Sequence, residues 1–276
     1  MCRRQCGIAD CLISRVRIAM ERVWGAPDLL RLAGVLALSL LFFGVSAPAS
    51  GAPLRVGLDS NYPPFSLVDR RGHASGFDLE VAEELCRAMG RQCEFVFLPL
   101  DGLLESMRKG GLDLLMGVSE TRERRTFMDF SKPYFRARSG YIGRPGDVGT
   151  GEEGVVRIGA REGSVQAGHL RNRRAERAVV VQAEFGRLLD MLCAGELDLI
   201  LANDLAGYSF LLSKRGRDFE VLGDPLPLGS LPNLVSIGVR KGEDELRKEL
   251  NRAIRDIRFS GAFGRINRNY FPYTLY

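Results

Sequence analysis

The stretch Gly117-Val118-Ser119-Glu120-Thr121-Arg122-Glu123-Arg124 holds the residue types that bind an anion. It follows the apolar run Leu112 to Met116, which reads as a buried strand, and precedes Met128-Asp129-Phe130-Ser131-Lys132-Pro133-Tyr134. A strand ending in Gly and small hydroxyl residues brings backbone N–H groups and a hydroxyl to one point. An Arg a few residues on adds a planar, permanently charged fork. That set suits a carboxylate. By itself the stretch is explained more simply by Ser119 capping a short helix and Arg124 standing solvated beside Arg122 and Arg125, so the elements around it must decide.

Other polar groups fall at the ends of expected strands. The first strand, Leu54 to Leu58, ends at Asp59, followed by Tyr62 and Phe65. The second ends near Leu100. In the second half, the strand ending at Ala160 leads to Gly163 and Ser164 at a helix start, an anion-binding position. The strand ending at Ala202 leads to Asn203 and Asp204. One Arg, two helix starts, one or two acids and aromatic walls suit a small zwitterion. Each residue alone has a plain structural reading: Tyr62 and Phe65 pack a turn, Asp59 caps, and Ser164 is an ordinary N-cap. Their common place at strand carboxyl ends, where α/β proteins bind ligands, argues against coincidence.

The positioning elements follow from periodicity and breakers. Pro63 and Pro64 force an extended turn. A helix is expected from Gly76-Phe77-Asp78 to Met89, with Asp78 as its cap. A strand over Glu94 to Leu98 follows, then a helix from Asp101 through Leu103 to Arg108, ended by Gly110-Gly111. The strand Leu112 to Val118 completes an alternation that implies a parallel, doubly wound sheet. Beyond a Gly- and acid-rich loop, Pro145 to Gly154, the alternation resumes: strands Val155 to Ala160, Ala178 to Val181, Leu197 to Ala202, Phe219 to Leu222 and Leu234 to Val239. Helices are expected after Gly163, over Phe185 to Ala194, over Asn203 to Leu212 and over Glu243 to Phe259. Met107 to Met116, with Asp113, echoes Met191 to Leu201, with Asp198, so the two halves share one plan and a cleft is expected between them.

The composition is globular: 276 residues, 45% hydrophobic and 26% charged. Of the net charge of +5, residues 1–49 hold six Arg against three acids, and the rest hold 33 basic against 31 acidic residues. The basic balance therefore belongs to the N-terminus, and no basic stripe with interleaved aromatics points to nucleic acid. Leu32 to Val45 is a 14-residue apolar run, too short for a comfortable membrane span and suited to a signal-peptide core. Ala47-Pro48-Ala49 offers small residues for cleavage before Ser50, and Met20 is an alternative start. No Cys at that junction suggests a lipid anchor. Export places the remaining Cys86, Cys93 and Cys193 in an oxidising compartment. Cys86 and Cys93 flank a helix–turn–strand that can bring two sulfurs together, the alternative being two buried thiols. Cys193 is expected to be buried on its helix with Leu188, Leu189 and Leu192. Neither a metal nor a cofactor is indicated.

In order along the chain, Leu54-Arg55-Val56-Gly57-Leu58-Asp59 with Tyr62-Pro63-Pro64-Phe65, Gly76-Phe77-Asp78, the Gly117 to Arg124 stretch, Asp129-Phe130-Ser131-Lys132-Pro133-Tyr134, Gly195-Glu196-Leu197-Asp198 and Gly238-Val239-Arg240-Lys241-Gly242 resemble the polar amino-acid family of extracytoplasmic solute-binding proteins, partners of ABC importers. The resemblance covers nearly the whole chain after the leader. It implies a two-lobe, Venus-flytrap α/β fold in which each lobe is a doubly wound, mainly parallel sheet flanked by helices. Residues 1–49 are then a signal peptide, 50–139 with 236–276 lobe 1, and 140–235 lobe 2, with hinge crossovers near 137–143 and 230–238. Arg124 and Ser119 are placed on the ligand's α-carboxylate, with Ser164 and the backbone of Val165 reaching the ligand from the second lobe. The backbone of Gly117 lies near the α-amine, and Tyr62 and Leu100 wall the side chain. Asp59 lies beside Tyr62 to meet a polar or basic group. The pair Cys86 and Cys93 resembles the disulfide of members that bind basic amino acids and histidine.

Two departures stand out. The family often has Asp for the α-amine where this chain has Asn203, and Asp204 should point elsewhere. The spacing from Asp113 to Arg124 is one residue shorter than usual. Asn contributes no charge to an ammonium, so ordinary α-amino acids are expected to bind weakly, and a dicarboxylate, a modified amino acid or another small carboxylate stays open. The main expectation is a monomeric periplasmic protein that captures such a solute and hands it to an ABC permease. The alternatives are a cyclohexadienyl-dehydratase-like enzyme on the same scaffold, or an extracytoplasmic ligand sensor that signals to a receptor. An enzyme needs a general acid or base in the cleft; His73 sits in a turn and His169 on an Arg-rich helix, which leaves Glu120 as the acid to test.

Overall fold

The computed structural model describes residues 52–146, 155–172 and 178–275. The leader expected over residues 1–49, with its cleavage point and Met20, lies outside them. Residues from Gly51 to Tyr276 form one compact unit; its described residues build two large sheets and a small third one, formed by Asn61–Tyr62, Ser66–Val68 and Ala74–Ser75. The first half supplies strands β1 (Leu54–Asp59), β2 (Asn61–Tyr62), β3 (Ser66–Val68) and β4 (Ala74–Ser75), then helix α1 (Phe77–Met89), β5 (Cys93–Leu98), α2 (Leu100–Arg108) and β6 (Leu114–Ser119). After a short 3-10 turn, Arg124–Thr126, come β7 (Met128–Phe130) and β8 (Phe135–Arg136). The second sheet holds β9 (Ser139–Gly143), β10 (Val156–Arg161), β11 (Ala178–Ala183), β12 (Leu199–Asn203) and β13 (Glu220–Leu222), interleaved with α3 (Val165–Asn172), α4 (Phe185–Ala194) and α5 (Asp204–Leu211). The chain returns to the first sheet through β14 (Leu234–Arg240) and ends on α6 (Asp244–Phe259) and α7 (Ala262–Tyr270).

The two large sheets repeat one plan. Their orders are β5-β1-β6-β14 and β11-β10-β12-β9, the first continued by β7 and the second by β13. In each, the three strands linked by helices are parallel and the fourth is antiparallel. The fourth strand is antiparallel in both because β14 and β9 carry the chain between the sheets rather than back over one face. The echo seen in the sequence has a structural counterpart. Asp113, just before β6, accepts the backbone N–H of Arg55 on β1 at 2.8 Å and pairs with the Arg55 side chain. Asp198, just before β12, accepts the backbone N–H of Arg157 on β10 at 2.7 Å and pairs with its guanidinium. Each acid fixes where the third parallel strand joins the first, β6 to β1 and β12 to β10.

Apolar spacing decides which faces are covered. On α6, Leu246, Leu250, Ala253, Ile254 and Ile257 are buried, a helical stripe on an otherwise charged helix. On α1, Phe77, Val81, Ala82 and Leu85 face inward. Phe77 lies at the centre of an aromatic group with Phe65, Tyr134, Phe135, Phe263 and Phe271, at ring separations of 5.3 to 6.4 Å.

Some local expectations change. The cap of α1 is Gly76, and Asp78 makes no capping bond; it is withdrawn into the interior. Helix α2 starts at Leu100 rather than Asp101, because Pro99 holds the extended cap conformation before it. Cys86 and Cys93 form a disulfide with Cα atoms 6.3 Å apart, made reachable by Gly90, which ends α1 in the left-handed conformation. Cys193 is half-buried rather than buried, with an Arg215 Nη2 at 3.7 Å from its sulfur. Among the described residues, no helix is long and apolar enough to cross a membrane.

Candidate functional site

Between the two sheets lies a cavity lined from both sides, by Tyr62, Leu100, Gly117, Ser119 and Arg124 of the first half and by Ser164, Val165, Gln166 and Asn203 of the second. Asp78 and Arg161 line it as well. Its free volume is about 40 Å³, far below the ~300 Å³ or more of a usual small-molecule site.

Arg124 is the buried arginine of its cluster, 6% exposed, while Arg122 and Arg125 face solvent. Thr121, not Ser119, supports the turn, its Oγ1 accepting the Arg124 N–H at 3.1 Å. Arg124 Nη1 donates to the Ser119 carbonyl at 2.7 Å, and Nη2 donates to the Gly163 carbonyl across the cleft at 2.9 Å. Both hydrogen bonds go to carbonyl oxygens rather than to a carboxylate. Burial, and then the charge of Arg161, push the Arg124 guanidinium down to about 10. It stays cationic at neutral pH, yet it is poorly solvated, and this is the condition of a site that attracts an anion.

On the second side, Ser164 is buried and its Oγ accepts the Ala167 N–H at 3.1 Å, capping α3. The backbone of Val165 is then the first helical unit at the cavity. Gln166 donates from Nε2 to Ser139 Oγ at 3.0 Å. Asn203 caps α5, its Oδ1 accepting the Leu205 N–H at 2.9 Å. The Asp204 carboxylate accepts from the Arg138 and Leu205 N–H groups and is not among the residues lining the cavity.

Gly117 adopts φ +68°, and a Cβ there would stand 2.7 Å from Asp78 Oδ2, so the turn requires glycine. Asp78 accepts a 2.5 Å hydrogen bond from Tyr134 Oη. Burial raises its carboxyl to about 7, against the lowering effect of the Tyr134 hydroxyl and of the Arg161 charge. The Tyr62 hydroxyl, withdrawn from water, is pushed up to about 12.

Asp59 is placed differently from the other candidate residues. It does not line the cavity. Its Oδ1 accepts the Asn61 N–H at 2.9 Å, and its Oδ2 accepts from Arg161 Nη1 at 2.7 Å. The Arg161 guanidinium also lies over the Tyr62 ring, 3.6 Å from its centre, and Tyr62 meets Phe185 of the second half edge-on at 5.1 Å. Glu120 stands apart, paired with Arg125, and is not a cavity acid. Among the described residues no group of three or more His, Cys, Asp or Glu could hold a metal ion.

Sequence reasoning missed Asp78 and Arg161. Asp78 looked like a helix cap because an acid in a first helical turn usually is one. Arg161 follows Ala160, where the apolar run ends, but it is the last residue of β10. Its place at a strand carboxyl end was the available signal.

Comparison with known proteins agrees with this architecture. A histidine-binding periplasmic protein of Escherichia coli is 29% identical over 254 residues, covering 88% of this chain and 98% of that protein. An L-arginine-binding protein of Pseudomonas aeruginosa is 30% identical over 259 residues, covering 90% and 98%. Among solved structures, an ancestral arginine-binding protein bound to arginine superposes with a TM-score of 0.71 at 24% identity, covering 80% of this chain and 99% of that one. Residues 54–273 match the bacterial extracellular solute-binding proteins, family 3, and the chain belongs to that family.

Proposed function

We propose that this protein captures an amino acid or a related small carboxylated solute in the periplasm and delivers it to an ABC importer, without catalysing a reaction. The observation that carries the reading is Arg124: a buried guanidinium, without a carboxylate partner among its hydrogen bonds, at a cavity shared by two sheets. Histidine- and arginine-binding periplasmic relatives support it. Residues 1–49 act as the export leader, 50–139 with 236–276 as lobe 1, and 140–235 as lobe 2, with hinges near 137–143 and 230–238. Arg124 and Ser119 hold the solute's carboxylate, the Val165 N–H and Ser164 approach it from the other lobe, and Gly117 and Asn203 meet its amino end. Tyr62 and Leu100 form the apolar wall. The protein works as a monomer against the permease, and closure of the lobes is a population shift that the solute drives.

A thermal-shift screen of amino acids, polyamines and small carboxylates identifies the solute, since a ligand at one hundred times its Kd adds about 2.7 kcal/mol of stability. With that solute, Arg124→Ala is expected to weaken binding by roughly 100-fold or more, about 3 kcal/mol, in calorimetry. Unchanged affinity in a folded variant overturns the site assignment.

A further inference from the structure

The side-chain end of the cavity already contains a cation, and it belongs to the protein. Arg161 is 14% exposed in its side chain, paired with Asp59 and laid over Tyr62. Asp59, just behind the lining, and Tyr62, within it, are an acid and an aromatic face of the kind that pairs with a cation. The guanidinium of Arg161 makes the contacts that the guanidinium or ammonium of a basic solute would make. The free volume left beside it is only about 40 Å³.

Charge points the same way. Arg124 brings one cation whose hydrogen bonds reach only carbonyl oxygens, and the cation of Arg161 is balanced by Asp59. Asp78, the lining acid, is raised to about 7 by burial, so it carries only part of a negative charge near neutral pH, and Asn203 is uncharged. The lining is therefore left with surplus positive charge from Arg124. A basic amino acid adds to that surplus, whereas a solute with net negative charge cancels it. A second cation placed beside Arg161 in a water-poor cleft is strongly disfavoured. Arg161 also keeps a donor in reserve: its Nε is buried and makes no hydrogen bond among the described residues, and a buried donor without an acceptor is costly until a ligand oxygen meets it.

We infer that Arg161 determines specificity, excluding solutes with a basic side chain and selecting an acidic amino acid or a short dicarboxylate whose second carboxylate it meets. The inference rests on the solute-binding reading and deepens it. The Arg161–Asp59 pair loosens as the solute enters, and Arg161 turns its free donors to the incoming carboxylate.

The test is calorimetry of the purified protein with L-glutamate, L-aspartate and succinate against L-arginine, L-lysine and L-histidine. At least one acidic probe is expected to bind ten-fold or more tighter than every basic probe. Arg161→Met is expected to weaken that probe at least ten-fold and to bring in a basic one, and Arg161→Lys should keep the acidic preference. Basic or neutral solutes binding the wild-type protein as tightly as acidic ones overturns the inference, and the wild-type comparison decides this even if a variant fails to fold. So does an Arg161→Met variant that keeps the wild-type ratio. If none of the six probes binds but the wider screen finds another carboxylated solute, the role of Arg161 falls while solute binding stands. If nothing carboxylated binds at all, both fall.

Discussion

Two guanidiniums within one cleft carry different assignments because their partners differ. Arg124 is bonded to carbonyl oxygens, so its charge is available, whereas Arg161 is bonded to a carboxylate. Asp78 adds a pH-sensitive feature. Its carboxyl is raised to about 7, first by burial, with Tyr134, Arg161 and Asp59 as the groups facing it. A raised carboxyl favours the folded state in its neutral form. The stability it contributes is complete below about pH 4 and is lost as the pH rises through about 7. Asp78→Asn mimics the neutral acid and can still accept from Tyr134. The melting temperature of the variant relative to wild type should therefore climb between pH 5 and pH 8. A difference that stays constant across that range in thermal unfolding would sink the assignment. The sequence marked Gly117, Ser119 and Arg124 through residue type and spacing, but it gave Asp78 only a capping role, because burial is not a local property.

At the scale of elements, the boundaries followed from breakers and the faces from periodicity. Gly90 and Pro99 stop and start helices where sequence and structure agree to within a residue or two, and the apolar stripe of α6 is helical by spacing alone. The turn between Cys86 and Cys93 closes a loop with a sequence separation of 7. In the chain-entropy account such a short loop stabilises by roughly 2–3 kcal/mol. Replacing both cysteines with serine should lower unfolding stability in urea by about that amount without changing the far-ultraviolet dichroism of the folded protein. A loss below about 0.5 kcal/mol would mean that the unfolded chain already keeps this turn. The antiparallel β9 and β14 were less legible: a buried strand shows its apolarity in sequence but not its direction, which the pairing partners set.

At the scale of the whole molecule, the ties between the halves across the cleft include two polar ones among the described residues, Arg124 to the Gly163 carbonyl and Arg161 to Asp59. Closure of a two-lobe protein depends on the free energy of such contacts in the closed form relative to solvation in the open one. Both ends of the Arg161–Asp59 pair are mostly shielded from solvent, at 14% and 13% exposure, so screening by salt is weak. Asp59→Asn removes the charge pair and leaves Arg161 without its counterion. The solute-free variant is expected to show a larger radius of gyration than wild type in small-angle scattering, and the screened solute should restore compactness. Equal radii without solute would show that this pair does not hold the lobes together.

The sequence by itself determined the alternation of strands and helices, the shared plan of the two halves around Asp113 and Asp198, the closeness of Cys86 to Cys93 along one helix–turn–strand and the strand-end position of the Arg124 stretch. These depend on residue type, spacing and short-range chain geometry. Only the tertiary structure decided that Asp59 faces Arg161 rather than open space, that Asp78 is buried against Tyr134, and that Glu120 lies outside the cavity. Those outcomes turn on contacts between residues as far apart as 102 positions, where three-dimensional distance, burial and the balance of charge across the cleft replace sequence spacing as the controlling variables.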